Sequence, residues 1–437
     1  MPRIGLGKLY LYAHLLLVVV LFSVSLASLS PARVEMVVEM DFSSGFDAGY
    51  ATCVYGDILY VVGTSDRHAL VAGFSLFNRS MLYHWVSNWY GELYDCVVVG
   101  SNIYVVGAKG VGESSKWFVG VFSPRLELVS WRESYVRASA LSIDYSNGYL
   151  YVSGFAKVGT IDGSDDVGWV IEKIDASNIS NYITVTSNPS SGGDVASAIR
   201  VNPSDNTVWV VGLNAENRRW RIEVYDDNLR LLKARDLDIP NYPLAIDFDA
   251  DGYAYIAGWG TVAKLDKDLN VVAKTSIGGN TAKLVVYNNT YLVVLSYHPD
   301  EQGFARHFVY LLDKHLVDVY SKCVTCNGTY SAYLDRGSSA LVNGSLFVAG
   351  YAIANTTSLS GDTYVIVYRL TLPEKLPATV SVDEHRYDVR QAILLATPIA
   401  VVAGALILIV TRRRRVARGR ADRKGKRAAK AYKVGKR

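Results

Sequence analysis

One pattern governs what this chain can fold into: a short apolar-aromatic strand that ends in glycine and keeps returning. It reads Ile58-Leu59-Tyr60-Val61-Val62-Gly63 and Asn102-Ile103-Tyr104-Val105-Val106-Gly107. It recurs as Tyr149-Leu150-Tyr151-Val152-Ser153-Gly154, Thr207-Val208-Trp209-Val210-Val211-Gly212, Tyr253-Ala254-Tyr255-Ile256-Ala257-Gly258 and Ser345-Leu346-Phe347-Val348-Ala349-Gly350. A degenerate copy, Thr290-Tyr291-Leu292-Val293-Val294-Leu295, puts Leu295 where the others have glycine. The ends of successive copies lie 44, 47, 58, 46, 37 and 55 residues apart. Self-similarity on this scale, with several short strands per period, marks a radial repeat of four-stranded sheets.

Each period has the same internal order. A first strand such as Leu141–Asp144 or Leu244–Asp247 leads through a hairpin dipeptide, Asn147-Gly148 or Asp251-Gly252, into the motif strand. A third strand follows, as in Trp117–Phe122 or Ile222–Tyr225. A polar turn (Asp226-Asp227-Asn228, Asp266-Lys267-Asp268, Asp313-Lys314-His315) then introduces a fourth strand such as Leu231–Ala234 or Leu316–Tyr320. The seventh period holds strands at Ser339–Asn343, Leu346–Gly350 and Tyr364–Leu370, then leaves through Pro373 and Pro377 without a fourth. The segment Val34–Asp41 alternates in the manner of a strand and belongs to no period. The expectation is therefore an all-β, seven-bladed β-propeller over residues 46–372, closed by an N-terminal strand from the 28–45 segment, which removes the open edges.

Ile143-Asp144-Tyr145-Ser146-Asn147-Gly148-Tyr149-Leu150-Tyr151-Val152-Ser153-Gly154, followed by Ile171–Asp175, resembles the archaeal and bacterial seven-bladed β-propeller repeat (SBBP-type). Ile246–Gly258 with Ala263–Asp266 is nearly as close a copy, and the likeness extends over roughly residues 46–372. It implies fold and not function, because propellers host enzymes, binders and scaffolds alike. The sixth unit departs most from the pattern, so a distorted blade is expected there.

The flanks point to a membrane. Arg3 and Lys8 precede an apolar run, Ala13–Leu26, with small residues for cleavage after Ala27, so 1–27 reads as a secretory signal peptide. The alternative is an uncleaved anchor. After a juxtamembrane linker, 373–391, the uncharged stretch Ala392–Val410 is long enough for one transmembrane α-helix. Residues 412–437 carry fourteen Lys/Arg against the single acid Asp422, while 31–411 carry 29 basic and 40 acidic residues. Positive charge stays in the cytoplasm, so a single-pass type I arrangement is expected, with the propeller extracellular and the basic tail, 411–437, inside. The lipid bilayer is then one partner and anionic lipid at the tail another. Nucleic acid or ribosome is a weaker fit, since only Tyr432 is available for stacking.

Chemically suggestive residues have bland explanations beside sharp ones. Cys323 and Cys326 form a Cys-x-x-Cys that could be redox-active, half a zinc site or a local disulfide; an extracellular setting favours the disulfide. Cys53 and Cys96 occupy matching first-strand positions in adjacent units. They bridge if their Cα atoms come within roughly 7 Å, and otherwise are small buried residues, the reading preferred here. Asp247, Asp249 and Asp251 resemble the start of a calcium loop but lack the late carboxylate. Asp162, Asp165 and Asp166 lie in the longest loop of the third unit and are either a cation site or simply solvated. Six Asn-x-Ser/Thr sequons, at Asn78, Asn178, Asn288, Asn327, Asn343 and Asn355, are candidate glycosylation sites on the outer domain.

No catalytic motif stands out. The seven His show neither ligand spacing nor triad order, and Lys109-Gly110-Val111-Gly112 lacks the ending of a phosphate loop. No catalytic residue, resident metal or cofactor is assigned, and a non-enzyme is favoured. The expected role is a membrane-anchored cell-surface module that binds or scaffolds extracellular protein or glycan. The long, irregular connections Ala156–Gly168 and Tyr297–His307 are the expected contacts. The alternatives are an extracytoplasmic propeller enzyme (a quinoprotein-like oxidoreductase or a hydrolase), or a membrane factor acting through its basic tail on anionic lipid or ribosomal RNA.

Overall fold

A computed structural model of the chain describes residues 33–161, 163–301, 303–325, 331–353 and 363–373. The expected signal peptide and transmembrane stretch and the basic tail lie outside the described residues. Among the described residues no helix is long and apolar enough to cross a membrane.

The described chain is all-β, and its strands fall into seven antiparallel units. Unit 1 holds Asp47–Tyr55, Ile58–Ser65 and His68–Ser75, and shares the 19-residue strand Met81–Val99 with unit 2. The first half of that strand pairs back on unit 1 and the second half opens unit 2, which adds Asn102–Lys109, Lys116–Phe122 and Leu128–Ser134. Unit 3 runs Ser139–Ser146, Tyr149–Ile161, Ser164–Asp175 and Tyr182–Ser187. Unit 4 runs Val195–Val201, Val208–Asn214, Arg219–Tyr225 and Leu231–Pro240. Unit 5 is Pro243–Phe248, Ala254–Gly258, Thr261–Leu265 and Val271–Ser276. Unit 6 is Asn280–Tyr287, Tyr291–Pro299, Ala305–Asp313 and Asp318–Cys323, a regular sheet and not the distorted one expected.

Unit 7 is assembled from both ends of the propeller. Ser345–Ile353 pairs with Thr363–Thr371, and the N-terminal strand Arg33–Met40 adds to the latter, Arg33 opposite Thr371 and Met40 opposite Val365. Its inner strand is split into Ser331–Tyr333 and Ala340–Val342, where a single strand was expected. Apolar side chains between neighbouring units make the core. Cys53, Tyr60 and Val71 of unit 1 face Leu93, Val105 and Phe118 of unit 2, and Val38, Phe347 and Val365 of unit 7 face Leu59, Leu70 and Phe74 of unit 1. The motif strands bury both faces, which is why they read as near-continuous apolar runs, whereas fourth strands such as Leu231–Pro240 and Val271–Ser276 are mostly exposed.

The recurring glycine has a physical cause. In units 1 to 6 the inner strand carries one extra residue near its start: Tyr50, Tyr94, Leu141, Ser197, Leu244 and Ala282. Such a bulge pushes a backbone carbonyl toward the motif strand. A Cβ at Gly63, Gly107, Gly154, Gly212 or Gly258 would collide with the carbonyl oxygen of Ala48, Glu92, Ser139, Val195 or Tyr242. Unit 6 corrects the alignment of its copy: Thr281 pairs with Ser296 on the near side of the bulge, so Ser296 and not Leu295 stands at the glycine position. The polar turns before the fourth strands also share one geometry. Asp226, Asp266 and Asp313 each accept two backbone N–H bonds, and a buried leucine at positive φ (Leu229, Leu269, Leu316) closes the turn.

Candidate functional site at the mouth of the axial channel

The inner strands surround an axial channel lined with charge. Asp95 Oδ2 accepts from Ile143 N at 3.1 Å and Ser142 Oγ at 3.2 Å in the next unit. Asp144 Oδ2 accepts from Val201 N at 2.8 Å, and Asp247 Oδ2 from Val286 N at 2.7 Å. Thr52 Oγ1 does the same across the closing junction, accepting from Ala340 N at 2.8 Å. Each acid thus ties its own inner strand to the backbone of the following one. Arg200 sits among them and donates to Ile143 O, Ile199 O and Ser338 Oγ. Burial pushes the carboxyls of Asp144 and Asp247 above the ordinary range. These groups converge, but their oxygens are occupied by backbone donors, so the collar acts as a fastening of the ring.

The channel is not open from end to end. Where units 1 to 6 carry one extra residue, unit 7 sets the six residues 334–339 against the three residues 348–350, an excess of three, and the longer segment reaches into the channel. Ser338 N donates to Asp95 Oδ1 at 2.8 Å, and Thr52 N donates to Ser338 O at 2.9 Å. Lys283 Nζ of unit 6 donates to Tyr50 O, Gly337 O and Arg336 O at 2.5, 3.0 and 3.4 Å. Gly337 has φ +108°, and a Cβ there would lie 2.5 Å from Tyr94 O and 2.8 Å from Ala51 Cβ. Burial holds the Lys283 amine down at about 8. Below this plug a polar cavity of about 140 Å³ remains, lined by Asp95, Arg200, Asp247, Lys283 and serines.

Above the plug lies a cup. The bulge residues Tyr50 and Tyr94 stack at 5.6 Å between ring centroids. Opposite them Tyr333 and Tyr351 stack at 5.3 Å, flanked edge-on by Tyr297 and Phe46. Glu92 stands between the two groups and accepts from Tyr50 Oη at 3.2 Å and from Tyr94. Burial raises its carboxyl, and burial likewise raises the phenols of Tyr50, Tyr94 and Tyr351. The plug supplies the floor with Asp335 and Arg336, which contact each other at 3.4 Å. Glu92 and Tyr94 also form one end of a cleft of about 670 Å³ that runs outward past Phe155, Glu113 and Arg137.

The residues singled out from sequence have other fates. Cys53 and Cys96 are disulfide-bonded with Cα atoms 6.0 Å apart, against the preference for unbridged packing. Their positions do not match: Cys53 is opposite Tyr60, the third residue of its motif, whereas Cys96 is opposite Val105, the fourth. That offset of one turns Cys96 back toward unit 1, and matched positions would both point the same way around the ring. Cys323 is also in a disulfide; its expected partner Cys326 lies outside the described residues.

The aspartates are not brought together. Asp247 faces the channel. Asp249 is buried, accepts from Asp251 N, Tyr253 N and Tyr255 Oη, and lies near Lys264 and Lys314. Asp251 is exposed and pairs with Lys314. Asp165 is ion-paired with both Arg137 and Lys157, and Asp166 accepts from Asn188; Asp162 lies outside the described residues. Among the described residues no group of three or more His, Cys, Asp or Glu is placed to hold a metal ion.

The two connections expected to be irregular are not loops for most of their length. Tyr149–Ile161 and Ser164–Asp175 pair as far as Ile161 with Ser164, and Tyr291–Pro299 and Ala305–Asp313 pair as far as Pro299 with Ala305. Both are long hairpins that rise on the cup's face. The cup itself went unread. Its signal was present in the aromatic and acidic residues at the start of the inner strands of units 1 and 2 (Phe46, Tyr50, Glu92, Tyr94), but nothing in the spacing says that unit 7 brings Tyr333 and Asp335 to meet them.

No protein-family model matches the chain, and no curated protein matches it. Among solved structures it is similar to virginiamycin B lyase from Staphylococcus aureus. The inactive variant with quinupristin gives a TM-score of 0.54 at 9% identity, covering 78% of this chain and 99% of that one. The selenomethionine form gives 0.51 at 10% identity over 78% and 99%. BamB from Moraxella catarrhalis gives 0.42 at 12% identity over 74% and 84%. Likeness at this level of identity is one of architecture, and it leaves the chemistry of each site to be argued from its own residues. By architecture the chain is a β-propeller.

Proposed function

We propose that this protein is a membrane-anchored, cell-surface β-propeller that binds an extracellular protein or glycan through the face bearing the cup. The observation that carries this reading is where the described chain ends leave the ring. Arg33 lies opposite Thr371, so both ends emerge on one face, and the cup with the two long hairpins lies on the other. Both described ends therefore leave by the face opposite the cup, and the cup stays clear of them. The apolar run Ala13–Leu26 after Arg3 and Lys8 and the basic tail after Ala392–Val410 support the same surface arrangement.

The sequons fit this orientation. Asn78, Asn178, Asn288 and Asn343 are exposed, and all four stand in turns on the face where the chain ends emerge. In Asn78 and Asn178 the side-chain oxygen already accepts from the serine two residues on, Ser80 N at 3.1 Å and Ser180 N at 3.1 Å. Asn327 and Asn355 lie outside the described residues. The basic tail anchors to anionic lipid. The enzyme reading loses ground because the converging channel acids are engaged with backbone N–H groups.

Cysteine-accessibility labelling of the full chain in intact cells tests the orientation. Ser164→Cys, at a hairpin tip on the cup's face, should react with an impermeant maleimide, and Ala429→Cys in the tail should react only after permeabilisation. The opposite pattern would overturn the proposal.

A further inference from the structure

The cup has the chemistry to recognise one class of ligand. Its walls are rigid aromatic faces, which provide contact area at little entropic cost. Its floor and rim carry Glu92, Asp335 and Arg336, planar groups that can each bond two hydroxyls at once. Asp335 and Arg336 contact each other at 3.4 Å, and Glu92 shares its carboxyl with two tyrosines. The cup therefore offers hydrogen bonds in both directions without a strong net charge. The adjoining cleft of about 670 Å³ lies within the range of small-molecule sites. It continues the same mixture: Tyr94 and Phe155 beside Glu113, Ser115, Ser139 and Arg67, the last without an ion pair among the described residues. A greasy ligand would leave these polar groups unpaired, at a cost. A strongly charged one would meet a like charge on either side.

We propose that the cup and cleft together bind a short neutral oligosaccharide, its ring faces against Tyr94 and the Tyr333–Tyr351 stack and its hydroxyls bonded to Glu92, Asp335 and Arg336. Glu92 and Tyr94 belong to the cup's cluster and also line the cleft, so a single extended ligand in the cleft can reach the cup residues. The inference deepens the surface-binding reading and rests on it. Its failure is distinguishable, because the labelling of Ser164→Cys and Ala429→Cys does not depend on any ligand.

The test uses the full chain in detergent on a printed array of neutral oligosaccharides, uronic-acid oligosaccharides and trimethyl-lysine peptides, with titration of the best-retained neutral glycan. Neutral glycans are expected to be retained. Tyr94→Ala and Asp335→Asn should each weaken binding roughly tenfold or more. Tyr94→Phe, which keeps the ring and removes the phenol, should weaken it less, and Tyr182→Ala on an outer strand should leave it unchanged. Thermal unfolding of each variant identifies any that fail to fold, and Tyr94→Phe then carries the comparison. Retention of no glycan, or neutral-glycan binding equal in all variants, overturns the proposal. Preferential retention of the trimethyl-lysine peptides makes the cup an aromatic cage for cations and overturns it too. Preference for uronic acids assigns the site to anions through Arg67 and Arg336, with the same effect.

Discussion

Units 1 and 2 are joined in a very different way from units 7 and 1, although both junctions bury similar apolar layers. The first is covalent twice over: the strand Met81–Val99 runs unbroken from one sheet into the next, and Cys53–Cys96 bridges the inner strands. The second depends on the strand Arg33–Met40, which reaches back to pair with Thr363–Thr371, and on Thr52 holding Ala340 N. A ring is opened most readily where only non-covalent contacts hold it, and that place is the pairing of Arg33–Met40 with Thr363–Thr371. The closing junction should therefore govern global stability, and the disulfide should protect a junction that is already continuous.

Removing residues 33–40 is the most damaging test of this contrast. It exposes the edge of Thr363–Thr371 and uncovers Val38's place in the closing layer. The melting temperature of the full chain should fall by more than about 10 °C, or the cooperative transition should vanish; a loss of a degree or two would break the comparison. Next comes the junction of units 2 and 3, which is fastened by an ion pair of Arg132 with Glu172, whose side chain is fully buried. Arg132→Ala leaves that carboxylate uncompensated and should cost roughly 3–5 kcal/mol in denaturant unfolding. Replacing both cysteines, Cys53→Ala with Cys96→Ala, removes a link closing 43 residues of separation and should cost about 2–4 kcal/mol. If that loss equalled the effect of deleting 33–40, the two junctions would be equivalent.

The smallest effect concerns acid. His307, in unit 6, packs edge-on against Tyr368 of unit 7, and burial holds its imidazole down to about 3 from 6.5. The unfolded chain takes up that proton once the pH falls below 6.5, and the folded chain resists until about 3. Stability is therefore lost as pH falls through this window, by about 2 kcal/mol at pH 5. His307→Leu should flatten the fall in melting temperature between pH 7 and pH 5; an unchanged slope would remove His307 from the account.

Much of the fold was legible because the repeat writes local geometry into residue type. The motif glycine is demanded by a neighbouring carbonyl, and the Asp-x-x-Leu turn by its own backbone bonds, so both recur wherever the geometry does. The closing strand was legible by subtraction, since unit 7 lacked a fourth strand and Val34–Asp41 had no other home. The plug was not, because Leu334-Asp335-Arg336-Gly337-Ser338-Ser339 reads as an ordinary polar turn. Its partners (Asp95, Arg200, Lys283, Tyr50) are set by the ring and not by neighbours in sequence. The disulfide was misjudged for a related reason: a strand register that differs by one residue reverses which neighbour a side chain meets. The aspartate clusters, persuasive in one dimension, are dispersed to the channel, a turn and the surface.

The plug also sets a condition on recognition. Residues 334–339 touch units 1, 2, 4 and 6 but belong to unit 7, and unit 7 is finished by the strand that is synthesised before all the others. The floor of the cup therefore comes into being only when the earliest and latest parts of the propeller have met. A chain that is still emerging, or that has lost its leading strand, has tyrosines but no cup. Any partner that needs Asp335 and Arg336 in place is in effect inspecting the whole ring, and by mass action its binding favours the ring that is closed.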